Sequence, residues 1–200
     1  MNAIPFSQEA SFLDKQALSI ICSNSHIAET LAEKVQLLNV QTDPSAPYCL
    51  MIDQPTGFAL QCLEDRSTHQ RPTLVATVNT CPDYWALLWE YNVAGIMGYH
   101  LIEHELVTAM QRMTTNQSYH SALLDGPPKL TSTERRILYM VACGWSNQDI
   151  AEQLVTSLQS IKNHMKSVLT KLQVNNRTEA ALYLWDIQPG CNNDTISYER

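Results

Sequence analysis

Residues 130–181 read LTSTERRILYMVACGWSNQDIAEQLVTSLQSIKNHMKSVLTKLQVNNRTEAA. Thr131 is followed three residues later by Glu134, the spacing of a capping box, in which each side chain binds a backbone N–H of the other residue. A helix is therefore predicted to begin here. Gly144 is predicted to end it, because glycine adopts the left-handed C-cap conformation without strain.

Two further helices are predicted downstream, each after a serine. Ser146 is the N-cap of a helix over 147–154, and Ser157 is the N-cap of a longer helix over 158–172. Two short helices joined by a tight turn form the helix-turn-helix arrangement, whose second helix enters the major groove of DNA. Ser157 and the N-terminus of its helix also offer donors to a phosphate group.

The second of these helices is predicted to expose polar and cationic side chains. Lys162 and Lys166 are four residues apart, so both project from one side of the helix. Lysine can donate to guanine O6 and N7, and asparagine or glutamine can pair with adenine. The side chains predicted to be exposed on this helix are Gln159, Lys162, Asn163, Lys166 and Lys171.

The spacing of caps, turn and recognition helix in the quoted stretch resembles the DNA-binding domain of the LuxR/FixJ family. The resemblance covers about a quarter of the chain and implies that Lys162, Asn163 and Lys166 reach base edges or nearby phosphates. It implies that His164 is oriented towards the DNA backbone or the packing of the domain. The target sequence is not implied, because many relatives differ at Asn163.

A fourth helix is predicted to start at the cap Thr178 and to end near Asp186. The resemblance implies that domains of this kind dimerise through their last helix. Leu182 and Trp185 are therefore the candidate dimer contacts.

The N-terminal half is predicted to alternate strands and helices. Short apolar runs separated by helices are typical of a parallel sheet that is covered on both faces, and the count favours a five-stranded flavodoxin-like domain. The predicted strands are Ala17–Cys22, Asn39–Thr42, Tyr48–Ile52, Thr73–Val78 and Val93–Met97. The predicted helices are His26–Leu38, Phe58–Leu63, a helix including Tyr84–Tyr91, and Ile102–Met113.

This order resembles the receiver domain of two-component response regulators. The resemblance places Asp53 where that family carries its phosphoacceptor, and Thr77 where it carries a hydroxyl. The family's acidic pair aligns with Ser23–Asn24, and its lysine aligns with Tyr99–His100. One carboxylate supplies too little charge to hold Mg²⁺ beside a phosphoryl group, so we expect a degenerate receiver. Two interpretations of Asp53 stay open: a cap of the next turn, which we favour, and a vestigial phosphoacceptor.

A degenerate receiver joined to a LuxR-type domain resembles the VpsT/CsgD subgroup. Members that bind cyclic di-GMP carry an arginine-containing motif, and the corresponding stretch here is Tyr119–Ala122. It lacks the arginine, whose guanidinium suits bidentate phosphate contacts. We therefore favour a packed connector helix at this position over a cyclic di-GMP site.

The charge is distributed unevenly over a chain whose formal net charge is −7. Residues 1–128 carry 5 Lys/Arg against 13 Asp/Glu, whereas residues 129–187 carry 7 against 5. This balance suits a regulator that touches phosphates with one element. The predicted parts are a lead-in (1–16), a receiver-like domain (17–115), a connector helix and linker (116–129), the helix-turn-helix domain (130–187) and a tail (188–200).

Cysteine usage and hydropathy indicate a cytosolic protein. Six cysteines without a CxxC pair, and a start without a signal peptide, favour reduced and mostly buried thiols. No apolar run is long enough for a transmembrane helix. With no metal cluster and no nucleophile–base pair in the sequence, neither a cofactor nor an enzymatic activity is expected.

The sequence therefore predicts a cytoplasmic, nucleoid-associated transcription regulator. We expect an activator that binds promoter DNA as a homodimer, has RNA polymerase as a further candidate partner, and is not controlled by ordinary aspartyl phosphorylation. The alternatives are the same regulator gated by cyclic di-GMP or by phosphorylation of Asp53, and a protein-interaction adaptor. The exposed lysines of the recognition helix argue against the adaptor.

Overall fold

The computed structural model describes residues 17–65, 71–121 and 126–187. Within these ranges the chain divides into two compact units. The first contains the described residues up to Val78 and those from Leu88 to Ser121. The second contains Asn79–Leu87 together with the described residues from Gly126 onward.

The first unit is built on a parallel sheet of six strands, in the order β2-β1-β3-β4-β5-β6. The predicted flavodoxin-like parallel sheet is confirmed, but it has six strands where five were predicted. The strands are β1 Ala17–Ile21, β2 Gln41–Thr42, β3 Tyr48–Asp53, β4 Thr73–Thr77, β5 Gly95–Gly98 and β6 Tyr119–His120.

Helices connect most successive strands, as expected for parallel pairing. They are α1 Ser25–Leu37, α2 Phe58–Glu64, α3 Pro82–Glu90 and α4 Ile102–Thr114. The connection 43–47, which lies entirely in the described part of the chain, contains no helix. Instead, Arg71 Nη1 donates to the carbonyls of Pro44 and Ala46 at 2.8 and 2.9 Å.

One core of this unit lies between the sheet and helices α1 and α4. It forms because alternate residues of the strands face the same side of the sheet, where the apolar stripes of the two helices meet them. Its fully buried members include Leu18, Leu50, Ile52, Leu74, Ala76 and Met97 from the strands, Val35 from α1 and Leu106 from α4.

The predicted connector helix at Tyr119–Ala122 is wrong for the residues that are described there. Tyr119–His120 form strand β6, in which Tyr119 N donates to Ala94 O at 3.0 Å and Ser121 N donates to Ile96 O at 3.1 Å. Gly95 permits this pairing, because a Cβ at that position would lie 2.8 Å from the Cβ of Tyr119. Tyr119 and Ser121 are buried as a result, and Ala122 lies outside the described residues.

The described residues of the second unit from Gly126 onward contain four helices in sequence. They are α5 Ser132–Ala142, α6 Asn147–Gln153, α7 Leu158–Leu172 and α8 Arg177–Leu184. Three begin at the predicted caps, with the reciprocal bonds of a capping box at Thr131 and again at Ser146. The fourth differs: Asn176, and not Thr178, caps α8, because the Asn176 side chain accepts from Glu179 N.

A second core holds α5, α6 and α7 together. Its buried residues are Ile137, Met140, Val141, Ile150, Ala151, Ile161 and Met165. Gly144 has φ +89°, so the predicted left-handed end of α5 is confirmed. No helix in the described ranges is both long and apolar enough to span a membrane.

The segment Asn79–Leu87 packs in the second unit, although the predicted boundaries place it in the receiver-like domain. Its carboxylate Asp83 is fully buried and accepts hydrogen bonds from Leu130 N at 2.9 Å, Lys129 N at 3.1 Å and the Tyr183 hydroxyl at 2.7 Å. Burial, followed by the hydrogen bond to Asp83, raises the pKa of Tyr183 above its usual value. Because Asp83 accepts hydrogen bonds from Lys129, Leu130 and Tyr183, the segment Asn79–Leu87 belongs to the second unit.

None of the five cysteines within the described ranges forms a disulfide, and Cys191 lies outside those ranges. Cys49 and Cys81 are buried, which raises their pKa values. Cys143 is exposed at the end of α5. The prediction of mostly buried thiols therefore holds for only part of the set.

Candidate nucleic-acid interface

Helix α7 starts at a fixed point, because Ser157 caps it. The Ser157 Oγ accepts from Ser160 N at 3.0 Å, and the left-handed residue Gln173 ends the helix with φ 60°. The exposed turn between α6 and α7 contains Val155, which has φ +52° and is 92% exposed. A β-branched residue rarely adopts this conformation, so the local preference of Val155 does not account for the turn.

One side of α7 is buried and the other is open. Ile161, Met165, Val168 and Leu172 are buried at the spacing of successive helical turns. The opposite side exposes four of the predicted contact residues, Gln159, Lys162, Asn163 and Lys166. His164 is half-buried between the two sides.

Lys171 is engaged within the domain. Its Nζ lies 2.6 Å from Glu134 Oε2, and Ser167 Oγ donates to Glu134 Oε1 at 2.6 Å. The Glu134 side chain is 6% exposed, whereas that of Lys171 is 38% exposed. The sequence placed Lys171 among the DNA contacts, but the structure gives its charge an internal partner.

Glu134 has a role that the sequence indicated only in part, as a member of the capping box. Burial raises the pKa of Glu134, but hydrogen bonds from Lys171, Ser167 and Thr131 outweigh that effect and lower it to about 2. The carboxylate therefore ties α5 to α7. The sequence shows a lysine at position 171 that could form an ion pair, but spacing alone could not show that its partner is Glu134.

The candidate dimer contacts on and after α8 are both half-buried. The Trp185 ring packs at 6.1 Å and 76° against Tyr139, and its Nε1 donates to Ala142 O at 3.3 Å. Trp185 thus has a packing role within the unit. The backbone carbonyl of Leu182 accepts from Ile187 N at 2.9 Å.

Asp53, the other predicted site residue, ends β3 and is fully buried. Its Oδ1 accepts from Gly57 N at 3.0 Å and Ala59 N at 2.9 Å, and its Oδ2 accepts from Thr77 Oγ1 at 2.8 Å. The predicted strand-end neighbours Asp53 and Thr77 are therefore brought together. Both carboxylate oxygens already bind donors of the protein.

The residues aligned with a receiver's acidic pair are also used structurally. Asn24 Oδ1 accepts from His26 N at 2.9 Å and so caps α1. Ser23 Oγ donates to the carbonyl of Gln54. Tyr99 and His100 lie in the 3₁₀ turn after β5. Asp53 is therefore the one carboxylate among the six positions aligned with the receiver's site, which are Ser23, Asn24, Asp53, Thr77, Tyr99 and His100.

Residues 128–184 match the family model of bacterial regulatory proteins, luxR family. They form a LuxR-type helix-turn-helix domain. The response regulator protein VraR of Staphylococcus aureus is 41% identical over 54 residues, which are 27% of this chain and 26% of that protein. VraR of Staphylococcus epidermidis gives the same values. The matched stretch thus spans about a quarter of the length of these relatives.

Solved structures resemble a larger part of the chain. RcsB from Salmonella enterica serovar Typhimurium, bound to a promoter, is 18% identical with a TM-score of 0.52, over 84% of this chain and 97% of that chain. Another RcsB–DNA complex is 17% identical with a TM-score of 0.51, over 86% and 99%. At these identities the likeness shows the fold: a receiver-like parallel sheet followed by a LuxR-type domain.

Proposed function

We propose that this chain is a transcription regulator that binds duplex promoter DNA sequence-specifically through the LuxR-type domain. The observation that carries the proposal is the exposed side of α7, which presents Lys162 and Lys166 four residues apart. Residues 158–178 contain no carboxylate that would oppose a phosphate backbone. A helix with one buried apolar side and one cationic side fits the major groove.

The proposed contact set is narrower than the one predicted from sequence. Lys162 and Lys166 contact phosphates or base edges, and the amides of Gln159 and Asn163 lie beside them. Ser157 and the first turn of α7 lie against the sugar–phosphate backbone of the DNA. The half-buried His164 lies at the margin of the contact surface. Lys171 contributes indirectly, because its bond to Glu134 fixes α7 on α5.

The remaining parts of the proposal concern assembly and control. We propose a cytoplasmic, nucleoid-associated homodimer formed through α8, with Leu182 as a contact, that activates transcription at promoters together with RNA polymerase. Control does not depend on phosphorylation of Asp53, because its oxygens are bonded and the neighbouring positions offer serine and asparagine. The solved RcsB relatives, which were bound to DNA, support the DNA-binding part.

Replacing Lys162 and Lys166 together with alanine should weaken binding to promoter fragments roughly 100-fold and lower the salt dependence of the affinity. Both side chains are exposed, so the helix should remain folded, which circular dichroism checks. The measurement is a titration of labelled duplex at several salt concentrations.

Lys34→Ala is the matched control for each of the single variants Lys162→Ala and Lys166→Ala, because each of the three removes one positive charge. Lys34 is an exposed lysine whose Nζ lies 2.6 Å from Glu103, and its loss changes the net charge without touching α7. Equal effects of Lys34→Ala and of either α7 substitution would contradict the proposal, because they would indicate a general effect of charge.

Incubating the protein with acetyl phosphate and Mg²⁺ should leave both its intact mass and its DNA affinity unchanged. The physical reason is that a single carboxylate among these positions does not provide a Mg²⁺ site. A phosphoryl adduct that disappears in Asp53→Asn would instead establish phosphorylation of Asp53. A response regulator with a complete acidic pair serves as the positive control.

A further inference from the structure

Two amide side chains on the exposed side of α7 are bonded to each other. Gln159 Nε2 donates to Asn163 Oδ1 at 3.0 Å, across one helical turn. Both residues are exposed, so the pair lies on the open side of the helix. The bond uses a donor of one amide and the acceptor of the other. The atoms left to meet a ligand include a donor, Asn163 Nδ2, and an acceptor, Gln159 Oε1.

The pair lies beside the two lysines that carry the proposed function. Lys162 directly precedes Asn163, and Lys166 follows it by three residues. The lysines supply charge, which is attracted to any duplex regardless of sequence. The neutral amides add little to that attraction, so we expect them to affect mainly which bases the protein prefers.

We infer that Gln159 and Asn163 act as one base-reading unit, in which Asn163 Nδ2 donates to the N7 of a purine and Gln159 Oε1 accepts from the amino group of adenine or cytosine in the neighbouring base pair. The two amide groups are bonded at 3.0 Å, which is close to the ~3.4 Å between base pairs, so they address adjacent pairs. The inference rests on the proposed function, because it requires α7 to lie in the major groove.

The bond between the amides makes this unit selective. A lone asparagine can turn its amide through half a rotation and offer either its oxygen or its nitrogen to a base. In the pair, the Nε2 of Gln159 holds the oxygen of Asn163, so the nitrogen is the end presented to the DNA. Each amide therefore favours one orientation of the other before binding, which reduces the entropy lost in the complex.

Selection from a randomised duplex library, with the full-length chain, tests the inference. Gln159→Ala and Asn163→Ala should each lower the preference at the same two adjacent positions by about tenfold, and the double variant should lose no more than either single variant. Affinity for an unrelated duplex should stay within about twofold of the wild type, since no charge changes. Gln148→Ala removes a comparable bond to Glu152 on α6, at 2.8 Å, and should leave the base preference unchanged.

Losses that multiply in the double variant, or that fall on separate positions, would overturn the inference, because the amides would then act independently. A preference that responds to neither substitution would overturn it as well. These results leave the proposed function standing. A wild-type chain that binds no duplex at low salt would refute the proposed function, and the inference with it.

Discussion

Glu134→Gln should lower the free energy of unfolding of the LuxR-type domain by about 3 kcal/mol. The estimate comes from the pKa of Glu134, which lies at about 2 in the folded chain against a usual value of 4.5. Its carboxylate is 6% exposed and accepts from Lys171 Nζ, Ser167 Oγ and the backbone and hydroxyl of Thr131, at 2.6–2.9 Å. A glutamine cannot satisfy all of these donors, because one of its terminal atoms is itself a donor.

The same carboxylate makes the stability of the domain depend on pH. Because its folded pKa is lowered, the stabilisation is complete above pH 4.5 and disappears as the pH falls towards 2. The variant should lack this part of the acid transition. Hydrogen exchange of the amides in α5 and α7, measured against pH, reports the opening free energy of this region.

Glu103→Gln is the matched control. The Lys34–Glu103 pair has the same 2.6 Å separation as Lys171–Glu134, but both of its side chains are about half exposed. Exposed pairs of this kind contribute little, so this variant should behave like the wild type. If both substitutions proved equally mild, burial would not be the source of the effect at Glu134.

Lys171→Met should reduce the stability of the domain while leaving the DNA affinity of the folded fraction unchanged.

Asp83→Ala is the second large effect and should destabilise the second unit by about 2–4 kcal/mol, because it leaves buried donors without an acceptor. These donors are the backbone N–H groups of Lys129 and Leu130 and the hydroxyl of Tyr183. The measurement is hydrogen exchange at the Lys129 and Leu130 amides, which should lose protection.

Tyr183→Phe separates the contributions at this carboxylate. It removes one donor and leaves the two backbone bonds to Asp83 in place, so it should cost about 1 kcal/mol and preserve protection at the Leu130 amide. Unchanged protection at both amides in Asp83→Ala would show that Asp83 does not hold the start of the LuxR-type domain.

The LuxR-type domain could be predicted in most of its detail because its signals are local. Capping residues act within three or four positions, so Thr131, Ser146 and Ser157 could be read directly from the sequence. The exposed side of α7 followed from the spacing of its apolar residues. The cap of α8 was placed two residues late, because Asn176 and Thr178 both suit that role and spacing does not choose between them.

The features that the sequence did not reveal involve partners that are distant in the chain. Strand β6 has only two residues, too few to show an alternating pattern, and its pairing depends on the absence of a side chain at Gly95. Lys171 meets a carboxylate that is 37 positions away. The hydrogen bonds of Asp83 likewise cross more than 40 positions. Periodicity within one element carries no information about such contacts.

Within the described residues, the two outermost strands of the sheet, β2 and β6, are each two residues long. A strand at the border of a sheet normally offers a row of unpaired amides and carbonyls, on which a strand from another molecule can assemble. Edge strands of two residues offer few unpaired amides and carbonyls for such pairing. Self-association by continuous extension of the described sheet is therefore disfavoured.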